Sequence, residues 1–500
     1  MRLSYLLEAI KKYKLTGFPD PDITGLSYDS RNIKSGGLFV AIKGNALDGH
    51  LFIQTAIDNG AKAVLVEKDI SLPHEVTVVK VSDTRRELSR LAERFYGYPL
   101  SAMDVTGVTG TSGKTTVTYM FESMLSAAGK KTGVIGTVNT RFMGRLTPSS
   151  VTTPESLDLM CIAREMANEG VTNLVLEASS HALHQKRVID LPFRVAVFTN
   201  LSRDHLDYHD SLDSYFKAKS ELFKNLPVMV NGKKSCAVIN MDDPRGKELY
   251  GLTKASVLTY GLNGDWDIRA ENIKADFTGL SAELITPNGS AAIKSPLLGE
   301  VNIYNILAAS GAALASGVTL DVIKKGIANL GRVPGRLERV PNRAGLSIIV
   351  DYSHKPDALS KVLNNLRPFV KKRVITVFGC GGDRDKGKRY DMGLIAGKNS
   401  EVVIITSDNP RTEVPEIIIS QIEKGVLDSG MKRANGNQPE NNTYLIEADR
   451  SLAINRAVSI ADIDDIILIA GKGHEDYQIT GQTKRHFDDR EEALKAVDAL

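Results

Sequence analysis

Cysteine is scarce in this chain. There are three in 500 residues, Cys161, Cys236 and Cys380, all far apart. Their spacing matches no metal-binding or disulfide pattern, so the thiols are expected to be structural, in a reducing compartment. A long apolar run is also lacking, which excludes a bilayer-spanning helix. Leu3, Leu6, Leu7 and Ile10 recur at helical spacing, but Glu8, Lys11 and Lys12 interrupt them. That predicts an amphipathic helix and no signal peptide. No membrane insertion and a cytoplasmic location are expected. Charge of one sign is missing as well. The 63 basic and 60 acidic residues leave a net +3, with no long basic block, so nucleic acid is not expected as a partner.

What is present is an ordinary soluble composition, 42% hydrophobic and 25% charged. A chain of 500 residues predicts several domains. The stretch Thr106 to Thr116 organises the reading. It follows a β-prone run, Val105 to Thr109. Behind it Val117, Met120, Phe121, Met124, Leu125 and Ala128 form the apolar stripe of a helix, and Gly129 is a helix stop. Strand, glycine-rich turn and helix in that order are the setting in which backbone N–H groups hold phosphate. Gly110 and Gly113 allow close approach of an anion. Lys114 supplies a point charge for the terminal phosphates, and the Thr115 hydroxyl is placed to ligate Mg²⁺. Val108 stands where the standard spacing has glycine, so the loop is a variant. A plain glycine-rich turn before a buried helix is the competing reading.

Residues 1–99 alternate strand-like and helix-like pieces, with strands at Leu38 to Ile42, Ala61 to Glu67 and Val76 to Val81. A helix from about Arg85 to Tyr96 ends near Pro99, a domain boundary. Residues 100–334 carry the phosphate loop and two more strands that end in polar turns, Asn173 to Glu177 and Arg194 to Phe198. In a parallel sheet these carboxyl ends share one edge, where ligands bind. Glu177 and His205 are there candidates for the metal of a bound nucleotide, or a solvated strand end and an ordinary histidine. In the next helix Leu212, Tyr215, Phe216, Leu222 and Phe223 define an apolar face, and Lys219 falls on it. Two readings stand for Lys219: its stem packs while the ammonium reaches water, or the amine is buried and neutral. Asn302 and Asn305 precede an alanine-rich helix and either cap it or bind a base. Arg332 to Arg336 reads as an interdomain hinge, since Pro334-Gly335 breaks helix and strand alike.

Residues 335–500 form another α/β unit. Strands at Arg373 to Phe378, Glu401 to Ile405 and Asp465 to Ile469 each end in a polar turn. Arg384, Arg389, Arg411, Lys472 and Glu475 lie near that second edge. Guanidinium groups with a carboxylate suit a zwitterionic or multi-carboxylate ligand; solvated loop charge is the alternative.

Nine motifs in order resemble those of the Mur ligases, in particular the MurE type. They are Asp29-Ser-Arg31, Gly110 to Thr116, Thr152-Thr-Pro154, Glu177 to His181, Asp204 to His209, Lys219, Asp351 to Asp357, Asp408 to Arg411 and Gly471 to Asp476. Ser112 stands where the family usually has asparagine. The resemblance implies an α/β protein of three domains with mainly parallel or mixed sheets. These are a UDP-substrate domain, 1–99, a central P-loop ATPase-like domain, 100–334, and a C-terminal Rossmann-like domain for the amino acid, 335–500. It implies an ATP-dependent ligase adding meso-diaminopimelate to UDP-N-acetylmuramoyl-dipeptide through an acyl phosphate, with a lysine-adding ligase or a non-ligase P-loop ATPase as alternatives. By the same resemblance Tyr28, Ser30 and Asn45 contact the UDP moiety, and Thr152, Thr153, Ser179, Gln185 and Arg187 hold the muramoyl-dipeptide. Gly110, Thr111, Ser112, Gly113, Lys114, Thr115, Thr116, Asn302, Arg336, Tyr352 and His354 bind ATP. Thr115, Glu177, His205 and Lys219 surround Mg²⁺, with Lys219 carrying a CO₂-derived carbamate; Lys114, Glu177, His205 and Lys219 are the catalytic set. Arg389, Asp408, Asn409, Pro410, Arg411, Gly471 and Glu475 form the diaminopimelate site. Closure of the third domain about Pro334-Gly335 and a monomeric state are further expectations.

Overall fold

The computed structural model describes residues 1–44, 47–434 and 439–500. The chain forms two compact units. One comprises Met1–Ala270, Leu284–Ala291 and Asn305–Gly326, the other Glu271–Glu283, Ala292–Tyr304 and Ile327–Leu500.

The first unit holds two large sheets. Five strands lie in the spatial order Lys14–Thr16, Thr77–Lys80, Ala61–Val66, Gly37–Val40, Leu26–Ser27. All pair in parallel except Lys14–Thr16, which runs antiparallel at one edge. The predicted N-terminal helix is short, Leu3–Leu7. Ile10 lies beyond it but joins the same core as Leu3, Leu6 and Leu7.

The second sheet has eight strands, in the order Ser256–Tyr260, Cys236–Asn240, Phe193–Phe198, Asp104–Thr109, Asn173–Glu177, Thr132–Ile135, Asn139–Phe142, Arg145–Pro148. The first six are parallel and the last two form an antiparallel hairpin. Asp104–Thr109 is central. Its outgoing helix, Lys114–Ala127, leads to Thr132–Ile135 on one side, while Phe193–Phe198 flanks it on the other. Such a reversal opens a crevice at the carboxyl ends of the strands. The central strands are buried, save half-buried Asp104, because both faces are covered. Val105, Leu174, Leu176 and Ala196 join the same core as Leu88 and Leu91 of the helix Thr84–Phe95, so one apolar core serves both sheets.

In the second unit seven strands lie in the order Glu338–Arg339, Ser347–Asp351, Ile466–Ala470, Val374–Phe378, Val402–Ile405, Thr443–Ile446, Lys432–Arg433. Only the first is antiparallel. Separate clusters cover the two faces, one around Ile349, Phe378 and Ile422, the other around Val350, Val377 and Ile454. The α/β class and the parallel and mixed sheets agree with the sequence reading.

Two local expectations are corrected. The helix Val301–Ala315 already includes Asn302 and Asn305, so neither caps it. The Asn302 side chain instead donates to Leu298 O at 2.6 Å. Leu212 begins the helix Leu212–Lys224 but is exposed, whereas Tyr215, Phe216, Lys219, Leu222 and Phe223 are buried. The first residue of a helix lies outside the packed turns, so the inward face starts at Tyr215.

Candidate active site

The phosphate loop is built where the central strand Asp104–Thr109 ends. Gly110 has φ +148° and Gly113 φ +88°. A Cβ on Gly110 would lie 1.9 Å from Thr199 Oγ1, and one on Gly113 2.5 Å from Asn305 Oδ1. Glycine is therefore required at both places by conformation and by space. The loop is pinned to the next strand end. Thr111 N donates to Asn200 O at 2.8 Å, Ser112 N to Asn200 Oδ1 at 3.0 Å, and Thr199 Oγ1 to Ser112 O at 2.7 Å. Val117 N is bonded to Gly113 O, so the first N–H groups of the helix Lys114–Ala127 have no partner within that helix. They and the helix dipole form the anion-attracting end.

Two amines meet at one carbonyl. Lys114 Nζ donates to Gly110 O at 2.9 Å and to Thr111 O at 3.0 Å. Lys219 Nζ donates to the same Gly110 O at 2.8 Å and lies 4.4 Å from the centroid of the Tyr215 ring. Lys219 is 1% exposed. Burial pushes its pKa well below the usual lysine value, and the Lys114 ammonium adds to the effect. Of the two sequence readings, the buried amine is the one the fold adopts.

Glu177 is a junction. It is buried, with Oε2 accepting from Thr115 Oγ1 at 3.1 Å and Thr137 Oγ1 at 2.8 Å, and Oε1 accepting from Thr137 N at 3.0 Å. Thr137 Oγ1 is also 3.1 Å from Thr152 Oγ1. Thr153 Oγ1 donates to Glu177 O at 2.6 Å and accepts from Ser179 N at 3.1 Å. The phosphate loop and three of the substrate candidates are thus one hydrogen-bonded patch. Thr137 escaped the sequence reading, since a lone threonine in a turn carries no motif.

Around His205 lies a cluster of rings that the sequence reading left without roles. His205 has φ +52°. Its ring is 4.9 Å from that of His181 and 6.1 Å from that of Tyr215. His209 is buried with Nε2 3.0 Å from Ser180 Oγ. Tyr208 OH accepts from Gln185 Nε2 at 2.9 Å and is 2.9 Å from His184 Nδ1. His181, Tyr208 and His209 sit inside motifs already singled out, and that was the available signal.

The substrate candidates fall partly together. Arg187 donates to Thr153 O at 2.9 Å and to Gln185 Oε1 at 2.6 Å, and pairs with Glu155. With Tyr28 it lines a cavity of about 580 Å³, walled also by Phe142, Glu155, Asp158 and the segment Thr147 to Val151. Tyr28 OH donates to Asp158 Oδ2 at 2.6 Å, and burial raises its pKa. Ser30 is buried, accepts from Asn59 through its carbonyl, and does not line this cavity. Asn45 lies outside the described residues.

In the second unit Arg336, Tyr352 and His354 cluster. The Arg336 guanidinium is 5.0 Å from the Tyr352 ring, which is 4.6 Å from His354 and 4.7 Å from His474. Burial pushes His354 down to about 4 and His474 to about 3. His474 Nδ1 and Arg336 Nε are buried without a hydrogen-bond partner among the described residues, as a ligand-binding surface would leave them.

The amino-acid candidates surround Lys472. This buried amine is 3.2 Å from Asn409 Oδ1, 3.4 Å from Glu475 Oε2 and 3.6 Å from Asp408 Oδ1. Asn409 Nδ2 donates to Glu475 Oε2 at 2.9 Å. Burial, with Asp408 nearby, raises the Glu475 carboxyl. A Cβ on Gly471, where φ is +117°, would lie 2.9 Å from Asp408 Oδ2. Arg411 has φ +52° and donates to Gly382 O at 2.7 Å, while Pro410 O sits where a Cβ on Gly382 would fall. Arg389 is placed differently. Its side chain is fully buried and committed to Glu413, Gln421 and Gly381 O, so it braces the site from within.

Thr115, Glu177 and His205 offer mainly hard donors, which suits Mg²⁺. Among the described residues no three His, Cys, Asp or Glu side chains converge on one point. Among the described residues no helix is long and apolar enough to cross a membrane.

Residues 22–96 match the family model described as "Mur ligase family, catalytic domain", 108–313 "Mur ligase middle domain", and 335–473 "Mur ligase, glutamate ligase domain". A relative from Geobacter sulfurreducens, named UDP-N-acetylmuramoyl-L-alanyl-D-glutamate--2,6-diaminopimelate ligase, is 47% identical over 99% of this chain and 98% of its own. One of the same name from Geobacillus kaustophilus is 43% identical over 99% of both. A solved structure of a ligase so named superposes with a TM-score of 0.68 at 34% identity, covering 95% of each chain.

Proposed function

The chain belongs to the Mur ligase family, and from that premise we propose that it joins meso-2,6-diaminopimelate to UDP-N-acetylmuramoyl-L-alanyl-D-glutamate, using ATP, in peptidoglycan precursor synthesis. The observation that carries this is full-length identity of 47% to a relative named for that reaction. The network of buried Asp408, Asn409 and Lys472 with half-buried Glu475, beside Arg411, supports it. Segment 1–99 serves the UDP end, 100–334 the nucleotide and 335–500 the amino acid.

The reaction has two steps. The substrate carboxylate attacks the γ-phosphorus of ATP, and ADP leaves, giving an acyl phosphate. The amine of diaminopimelate then attacks the acyl carbon, inorganic phosphate leaves, and the amine loses its proton. Lys114 moves from the Gly110 and Thr111 carbonyls to the terminal phosphates and offsets the charge of the transferring group. The helix N-terminus behind Gly113 holds the remaining phosphate oxygens. Thr153, Ser179, Gln185 and Arg187 orient the muramoyl-dipeptide, since near-attack placement of the carboxylate lowers the barrier. Thr115, Glu177 and His205 are the residues that would hold Mg²⁺, which supplies Lewis-acid neutralisation of phosphoryl charge when bound. The buried Lys219 amine, its pKa lowered, is suited to add CO₂ and release a proton, giving a carbamate with the negative charge such a site favours.

An amino-acid screen tests the reading, with UDP-muramoyl-dipeptide, ATP and Mg²⁺ supplied and product followed by mass. Product with meso-diaminopimelate and little with lysine is expected. Equal use of lysine would move the protein to the lysine-adding reading. Phosphate release that ignores every amino acid would make it a plain ATPase.

A further inference from the structure

We propose that the buried pair Arg450–Asp489 is a positioning device that fixes the spacing of the two turns holding the incoming amino acid. The proposal rests on the reading that turns 408–411 and 471–475 form that site.

Both side chains are fully buried. Arg450 Nε donates to Asp489 Oδ1 at 2.7 Å and Nη2 to Asp489 Oδ2 at 2.8 Å, a two-pronged ion pair. The other prongs leave the pair. Nη2 donates to Ala470 O at 3.0 Å and Nη1 to Ser407 O at 3.4 Å. These carbonyls immediately precede Gly471 and Asp408. They belong to the ends of two strands that are not neighbours, since Val374–Phe378 lies between Val402–Ile405 and Ile466–Ala470. One planar guanidinium therefore ties together two strand ends across a third. The intervening turn packs tightly against one of these two ends. Gly379 follows the middle strand, and a Cβ there would lie 2.2 Å from Thr406 O and 2.9 Å from Asp408 N.

Stability alone does not account for the pair. A buried ion pair gains little over an apolar pair of similar size, because desolvation opposes the attraction. Arg450 also opens the helix Arg450–Ile460, where the helix dipole disfavours a cation. Asp489 opens the helix Asp489–Asp498, where the dipole favours an anion. Two helix starts thus meet at one carboxylate and one guanidinium, and the guanidinium extends from there to the site. Lysine cannot replace it, since a point-charge ammonium cannot reach the carboxylate and two carbonyls in one plane.

Arg450→Lys is the first variant, and the double variant R450M/D489L the second, which removes the pair together and leaves no lone buried charge. Steady-state kinetics are run with whichever amino acid the wild type turns over, varying each substrate in turn. In either folded variant the KM for the amino acid should rise tenfold or more, while the KM values for ATP and the UDP substrate stay within about twofold. Conservative Asp489→Glu should recover part of the loss seen in Asp489→Asn. An unchanged amino-acid KM, or an equal rise in all three, overturns the inference. A wild type that prefers another amino acid overturns the functional reading instead and leaves this comparison intact.

Discussion

Lys219 and Lys114 donate to one carbonyl oxygen, that of Gly110. Burial lowers the pKa of Lys219, and repulsion between two ammonium groups so placed lowers it further, which favours the neutral amine. That is the condition under which an amine adds CO₂. Lys219→Ala should be nearly inactive, and short carboxylic acids should restore part of the activity by standing in for the carbamate. Activity of Lys219→Ala equal to wild type, with no response to added acid, would falsify this role. On the proposed assignment Arg411 meets the far carboxylate of diaminopimelate. Lysine lacks that carboxylate and would leave the guanidinium without its anionic partner, a cost of roughly 2–5 kcal/mol. Arg411→Ala should lose most diaminopimelate activity and narrow its advantage over lysine, with ATP affinity unchanged. Competition assays with both amino acids read this directly, and full discrimination in the variant would remove Arg411 from the assignment.

At the scale of elements, the phosphate loop depends on two glycines with different neighbours. Gly110→Ala brings a methyl group 1.9 Å from Thr199 Oγ1 at φ +148°. About 1–3 kcal/mol of strain is expected, with the loop displaced and ATP binding weakened. Gly129→Ala meets nothing within 4 Å at φ +71°, so it should lose less stability and keep ATP binding. Urea titration and nucleotide titration on the two variants separate the cases. This loop was legible in the sequence because strand, turn and helix are contiguous there. The patch around Glu177 was not. Thr137 reaches Glu177 because Thr132–Ile135 pairs in parallel with Asn173–Glu177, Ile135 opposite Leu176, and strand register is a tertiary fact. The hairpin Asn139–Phe142 with Arg145–Pro148 was missed for a related reason. Its outer strand is exposed at every residue, so it lacks the apolar alternation that marks a strand.

For the whole molecule, acid is the revealing variable. His354 and His474 have folded pKa values of about 4 and about 3, below the ordinary 6.5. The unfolded chain therefore binds these protons first as pH falls, and stability declines from pH 6.5 down to those values. Glu413, held at about 2 by Arg389 against an ordinary 4.5, contributes stability that is present above 4.5 and lost as pH falls towards 2. Urea midpoints measured from pH 7 to 4 should fall steadily, and His474→Gln should flatten part of the slope. A midpoint constant over that range would mean the two imidazoles are not buried and neutral. Central strands of the three large sheets, such as Ala61–Val66, Asp104–Thr109 and Val402–Ile405, were legible from sequence, since buried parallel strands are continuous Val and Ile runs, whereas the short and edge strands were not. The inward commitment of Arg389 was not legible, because a guanidinium looks the same in sequence whether it meets a ligand or Glu413.

The hydrogen-bonded run Thr115, Glu177, Thr137, Thr152 also has a thermodynamic meaning. On the proposed assignment it links Thr115, at the nucleotide, and Thr152, at the UDP substrate, through one hydroxyl–carboxylate relay. If filling one end shifts that relay, the affinity at the other end changes by some factor, and linkage makes the factor identical in both directions. ATP dissociation constants measured with and without the UDP substrate, and the reverse pair, must then give the same ratio. Thr137→Val cuts the run while leaving both end groups in place, and should bring that ratio close to one.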